Sequence, residues 1–292
     1  MNNLISLGNT FLYLLSFVDG MQSRLLFLGT GGDSFVIGKQ MRASGGIMIN
    51  IDNAQFHIDP GPGSLVMAKM MGLNLRETTA LFVTGNELIK ANDVNAVVSA
   101  MTHDGIDKKG VLVCPSTVVN GTSSDIGPFI NKFYHNCVEK TITIDNTSKI
   151  GINDIDVEII SLDMPQSISC GYKFITPKFS LAYVPDTGFD AKIGESLQNT
   201  DILIISVQDP RNAKRKEHLN SEDAEKIIKK ANPQLAVITG FGTKMMQSDP
   251  LYEAREIQRA VGIQVIAAKD GMMINPMSFT TSVRQKSLDS YQ

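Results

Sequence analysis

From Arg24 onward the chain is a succession of short apolar runs cut apart by Gly, Pro, Asn and Asp, with helical spacing between some of them. Runs this short suit buried strands better than helices. In the first half they predict strands at 25–28, 47–51, 56–58, 80–83 and 111–113. In the second half they predict strands at 157–160, 172–175, 181–184, 202–207, 235–238 and 265–267. Two stretches carry a helical stripe instead. Val94, Val97, Val98 and Met101 fall at i, i+3, i+4 and i+7, and Ala224, Ile227, Ile228 and Ala231 repeat that spacing. The second helix has Asn220 or Ser221 to cap it, and Glu222 and Asp223 in the first turn, where the helix dipole favours acids. A doubly wound sheet would alternate strand and helix more strictly. The order strands, helix, strands, helix predicts an α/β (α+β) fold with two sheets packed face to face between helices, a four-layer αββα sandwich.

No repeat, low-complexity tract or linker divides the 292 residues, so one domain is expected over 21–292. Residues 1–20 are expected to be an extension, or the product of an upstream start with the natural start at Met21. The apolar stretch Leu12 to Val18 is shorter than the ~20 residues a bilayer requires. No Lys or Arg precedes it and no small-x-small site follows, which argues against a secretory signal, and no membrane association is expected. Cys114, Cys137 and Cys170 are odd in number and form no CxxC pair, which suggests neither a zinc ribbon nor a disulfide framework and fits a cytoplasmic location. A net charge of −3 supplies no field for nucleic acid, although a local patch remains open. Neither a GxGxxG loop nor a GxSxG elbow is present.

Several segments together carry a family resemblance. They are Phe27-Leu-Gly-Thr-Gly31, Arg42-Ala-Ser-Gly-Gly46, Ile58-Asp-Pro-Gly-Pro-Gly63, Leu81-Phe-Val-Thr84, Tyr183-Val-Pro-Asp-Thr187, His218-Leu219, Val237-Ile-Thr-Gly-Phe-Gly242 and Ala267-Ala-Lys-Asp-Gly271. In order and spacing they resemble the metallo-β-lactamase-fold hydrolases, most of all the ribonuclease Z-like and archaeal metal-dependent hydrolase branch. The resemblance implies the αββα sandwich. It also implies a site where His-x-His-x-Asp-His, further histidines and a bridging aspartate hold zinc. Zinc would lower the pKa of a bound water to about 7 and so supply hydroxide at neutral pH.

That ligand set is missing. After Thr84 the chain reads Gly85-Asn-Glu-Leu-Ile-Lys90, so Gly85 and Glu87 stand where the first two histidines belong, Ile89 replaces the aspartate and Lys90 the last histidine. The histidine expected before Gly171 corresponds to Leu162, give or take two residues, and that of the Thr-His-Phe-like segment to Gly240. Asp186 alone survives, as a residual metal-site carboxylate; five histidines and the first aspartate are gone. A full structural zinc site contributes about 10–16 kcal/mol. With one or two carboxylates and the positive charge of Lys90 in the pocket, no cofactor is expected. Weak Mg²⁺ or Mn²⁺ binding at Glu87, Asp93 and Asp186 is the alternative.

The four histidines are His57, His103, His135 and His218, and His218 alone matches a family position, one that assists proton transfer in ribonuclease Z-like enzymes. It is the weak catalytic candidate. Arg211, Lys214, Arg215 and Lys216 form a basic run that offers contacts to a phosphate-bearing ligand or an RNA backbone. Asp59, at a strand end, is expected to brace a loop. The sequence therefore points to a non-catalytic superfamily member, acting as a subunit or as a binder of phosphate or another small ligand. As a subunit it would form a homodimer or pair with a related protein. A rebuilt-site hydrolase of the phosphodiester or ester class, using Glu87, Lys90, Asp186 and His218, and an RNA-binding scaffold are the alternatives.

Overall fold

The computed structural model describes residues 23–122, 126–144, 149–162, 169–213 and 215–280; the 1–20 stretch and Lys214 lie outside these. β1 (Ser23–Phe27), β2 (Ile47–Ile51), β3 (Ala54–Ile58), β4 (Thr78–Phe82), β5 (Val111–Cys114) and β6 (Lys140–Thr143) lie side by side in chain order. A second sheet follows, again in chain order. It comprises β7 (Lys149–Ile152), β8 (Ile155–Leu162), β9 (Ser169–Ile175), β10 (Ser180–Val184), β11 (Ile202–Ser206), β12 (Leu235–Thr239) and β13 (Gln264–Ala267). β14 (Met273–Ile274) returns to the first sheet beside β1, so that each sheet has seven strands among the described residues. β3 to β6 are mutually parallel, as are β10 to β13, and the remaining pairs are antiparallel.

The alternation of side chains along each strand builds three apolar layers. Between the sheets Phe27, Ile49, Phe56 and Phe82 meet Tyr172, Phe174, Ile204 and Val237. Phe82 stands edge-on to Phe56, Tyr172 and Phe174 at centroid distances of 5.6, 5.1 and 5.0 Å. The Tyr172 hydroxyl is satisfied by donating to the Val83 carbonyl at 2.7 Å.

Helices cover the outer faces. They are α1 (Ser34–Gly38), α2 (Ser64–Met70), α3 (Leu88–Ala91), α4 (Val94–Thr102), α5 (Ser116–Asn120) and α6 (Lys132–Cys137) in the first half. The second half adds α7 (Ala191–Ser196), α8 (Ser221–Ala231), α9 (Thr243–Ser248) and α10 (Pro250–Val261). Ala68, Val94, Val97, Val98 and Met101 seal the first sheet over Leu26, Met48, Leu81 and Leu112. Ile193, Ala224, Ile227, Ile228 and Ile257 seal the second over Ala182, Leu203, Ile205 and Ala236. Because β11 and β12 are buried on both faces, they read as unbroken apolar runs rather than as an alternation.

Every strand and both helices read from the sequence are present, with adjusted ends. Asn220 caps α8, its side chain accepting from the Asp223 amide at 2.9 Å. β6 and β7 escaped the periodicity because they are edge strands with exposed polar faces. α10 escaped because its buried stripe is sparse, with Ala254 and Ile257 the apolar members besides Pro250. No described helix is long and apolar enough to cross a membrane. The three cysteines are buried, and none is in a disulfide among the described residues.

Candidate functional site

The loops that follow β1, β3, β4, β10, β11 and β12 converge at one end of the sandwich, where the parallel strands deliver their carboxyl ends. The two halves are sewn together there. The Gly32 amide donates to the Phe241 carbonyl, and the Phe241 amide donates to that of Thr30, both at 2.9 Å. Asp270 ties in the start of the segment before β2, accepting from Thr30 Oγ1 and from the Ala43 amide at 2.7 Å each. Between the loops lies a cleft of about 50 Å³, lined by Gly31, Gly45, Asp59, Ile89, Lys90, Tyr183, Asp186, Ser206, Thr239 and Gly240.

Two charged clusters face each other across it. In the first, one turn of α3 brings Lys90 back over Glu87, and Lys90 Nζ donates to Glu87 Oε1 at 2.9 Å with only 5% of the lysine side chain exposed. Burial works against that ammonium. Glu87, Asp59 and Asp186 together outweigh it, holding Lys90 above the ordinary lysine range. Asp59, at the end of β3, accepts from the Thr84 amide and hydroxyl at 2.8 Å each and from the Tyr183 hydroxyl at 3.1 Å. It therefore braces the loop after β4 and joins the first sheet to the second. Burial pushes its carboxyl up to about 6, against the Lys90 charge and those hydrogen bonds.

The second cluster centres on Asp186, after β10. Its Oδ2 accepts from His218 Nδ1 at 2.6 Å and from Gln208 Nε2 at 2.9 Å. The other oxygen, Oδ1, is buried without a hydrogen-bond partner among the described residues. The hydrogen bond to Asp186 raises His218 above the usual histidine range, although partial burial opposes it. Burial likewise raises Asp186, with His218 and Lys90 pulling the other way. His57 behaves oppositely. It is fully buried, with Nε2 donating to the Gly45 carbonyl at 2.7 Å, and burial drives its pKa down to about 4. A histidine-resolved NMR titration should show His57 staying neutral to below pH 5, while His218 takes its proton above the usual pKa of 6.5.

The basic run is largely spent on acids. Arg215 grips Asp209 with two hydrogen bonds of 2.6 Å, and Arg211 pairs with Glu225 and, at 3.8 Å, with Glu222. Lys216 is exposed. Asp93 turns to the Gly63 amide at 2.9 Å and does not line the cleft. Ser206 and Gln208 were not singled out from the sequence, and Tyr183 and Thr239 entered only within family-like segments. All four lie near strand ends, where only strand pairing reveals a common neighbour.

The residues do not fit a zinc ion. Gly85, Ile89, Leu162 and Gly240 offer no side-chain donor. A Cβ at residue 85 would stand 3.4 Å from Lys90 Nζ, so the ammonium lies beside the point where a side chain there would begin. A Cβ at Gly240 would run into Ser206 Oγ. Leu162 is packed into the outer apolar layer with Ile160, Ala182 and Val184. The nearby donors are hard carboxylate oxygens and an imidazole, His218, already hydrogen-bonded to Asp186, with an ammonium among them. Among the described residues no three His, Cys, Asp or Glu side chains stand close enough to share an ion.

Two face-to-face mixed sheets, outer helices and a cleft at one end define the metallo-β-lactamase fold. The chain belongs to the β-lactamase superfamily, whose domain model matches residues 55–241. It is 27% identical over 256 residues to the uncharacterized protein MJ1374 of Methanocaldococcus jannaschii, covering 87% of this chain and 95% of that protein. The metallo-β-lactamase fold protein YhfI from Bacillus subtilis superposes with a TM-score of 0.70 at 13% identity, over 86% of this chain and 98% of YhfI. The short form of human tRNase Z superposes at 0.62 with 15% identity, over 86% and 98%. Within the superfamily this chain is a degenerate member, lacking the His-x-His-x-Asp-His motif.

Proposed function

We propose that this protein is a non-catalytic superfamily member whose cleft serves binding, as a subunit of an assembly or as a receptor for a small hydrogen-bonding ligand. The observation that carries this reading is the donor set. Positions 85, 89 and 240 have no ligating side chain, and a buried ammonium, Lys90, stands among the carboxylates that remain. With no side-chain ligand at those positions, and the nearby imidazole, His218, hydrogen-bonded to Asp186, zinc lacks the ligand set for the open geometry that makes a hydroxide nucleophile. The electrostatics favour a ligand that is uncharged over one rich in phosphate. Lys90 is countered by Glu87, Asp59 and Asp186, while Arg211 and Arg215 are engaged with acids. An RNA backbone would find little counterion release to drive its binding at such a loop.

The test is metal content by mass spectrometry on tag-free protein, together with a phosphodiester hydrolysis assay. Less than about a tenth of an ion per chain and no turnover above blank are expected. Near one equivalent of zinc with phosphodiesterase activity would overturn the reading. A second reading rests on the Asp186–His218 pair. The ring is oriented at 2.6 Å through Nδ1 and is 25% exposed, so Nε2 is free to handle a proton in a rebuilt ester hydrolase. Turnover by metal-free protein, abolished in His218→Gln, would transfer the protein to that class.

A further inference from the structure

We propose that Lys90 is the resident cation of this site, a tethered ammonium standing where the superfamily places its metal and holding the loops after β3, β4 and β10 together. The inference rests on the reading of the cleft as metal-free and goes beyond it, because it says what the altered residues do. Three observations converge. The lysine is buried to 5% side-chain exposure on a single-turn helix, an environment that disfavours an ammonium unless acids are built around it. Carboxylates from three separate loops supply that surround. Glu87 accepts at 2.9 Å, and Asp59 and Asp186 both hold the charge through space. The position is specific, since Nζ lies 3.4 Å from where a side chain at residue 85, the first of the degenerate metal-site positions, would begin.

The substitution is chemically coherent. A zinc site of this kind depends on imidazole nitrogens beside its carboxylates. A monovalent ammonium needs no imidazole and is served by oxygen acceptors, and carboxylates are what surround Lys90. The lysine stem also brings its own covalent tether, so no ion has to be captured from solution. Asp59 shows how the cation reaches the scaffold: it lies in the field of Lys90 while its oxygens accept from Thr84 of the first sheet and Tyr183 of the second. Removing the positive charge leaves Glu87 and Asp59 without their cation and Asp186 with His218 to balance it. Asp186 is the worst placed of these, since one of its oxygens already has no partner among the described residues.

The experiment is chemical rescue of Lys90→Ala, read as the thermal unfolding midpoint. Loss of the cation should lower the midpoint by about 10 °C relative to wild type. Millimolar n-propylammonium should recover a substantial part of that loss, whereas 1-propanol, which has the same chain and no charge, should not. Lys90→Met, which keeps the apolar stem and fills the cavity, should be destabilised comparably and should ignore the amine. If Lys90→Ala folds only in the presence of the amine, the inference stands. Failure of the amine to restore folding or raise the midpoint overturns it, as does equal rescue by the alcohol or a Lys90→Met midpoint at the wild-type value. In those cases the metal-free reading survives on its own metal analysis. Stoichiometric zinc in wild-type protein would overturn both.

Discussion

Gly46→Ala is expected to cost about 4 kcal/mol or more, a large share of the ~5–15 kcal/mol that holds an ordinary domain folded. Gly46 sits at the start of β2 with φ +76°, a conformation an L-residue adopts reluctantly. Strain is the smaller part. A Cβ there would collide with the carbonyl oxygens of Ile58 and Asp59, which are backbone atoms of the neighbouring strand end and have nowhere to move. To make room, β2 and β3 would have to part where Ile47 pairs with Ile58, displacing Asp59 from Thr84. Gly38→Ala in α1 is the control. Nothing lies within 4 Å of its Cβ position, so the change should be neutral or stabilise by ~0.5–1 kcal/mol. Urea midpoints measure both. A Gly46→Ala midpoint equal to wild type would mean that the two strand ends separate freely.

Asp59→Ala comes next, at roughly 3–5 kcal/mol. It strands the Thr84 amide and the Thr84 and Tyr183 hydroxyls, and removes one of the acids that balance Lys90. Asp59→Asn preserves the shape and one acceptor, so it should cost less and act chiefly on pH dependence. The folded carboxyl titrates at about 6 against 3.8 when free, so the folded state binds the extra proton between those values. Stability from this group therefore falls as pH rises from about 4 to 6, by ~3 kcal/mol over the window. His57 has the opposite sign. With a pKa of about 4 folded and 6.5 free, it costs stability as pH falls through the same window. The two contributions largely offset one another in the wild type. Asp59→Asn should thus uncover a loss of thermal stability toward acid, carried by His57, that the parent hides. An Asp59→Asn profile that superimposes on wild type between pH 4 and 7 would contradict the assigned burial of either group.

Much of the architecture was legible in the chain. Core strands such as β11 and β12 announce themselves as apolar runs, and α4 and α8 as stripes, since burial on a given face dictates residue type at a fixed spacing. The absence of the His-x-His-x-Asp-His motif was legible too, since the residue types after Thr84 need no coordinates to be read. The bracing role expected of Asp59 is the geometry found, to Thr84 and Tyr183.

Partnership was not legible. Four positive charges in residues 211–216 suggested an anion surface; the fold closes Arg215 onto Asp209 and brings Arg211 to α8 and its Glu225. Lys90 could be seen as a charge in the pocket, yet its seat between Glu87, Asp59 and Asp186 depends on three loops that meet only after both sheets have formed. The division has one physical cause. Residue type and local periodicity follow from each element's own burial, so the sequence by itself determined the layers and the missing His-x-His-x-Asp-His motif. The pairing of buried charges depends on where separate strands end in space, and only the tertiary structure decided which acid each cation of this cleft would meet.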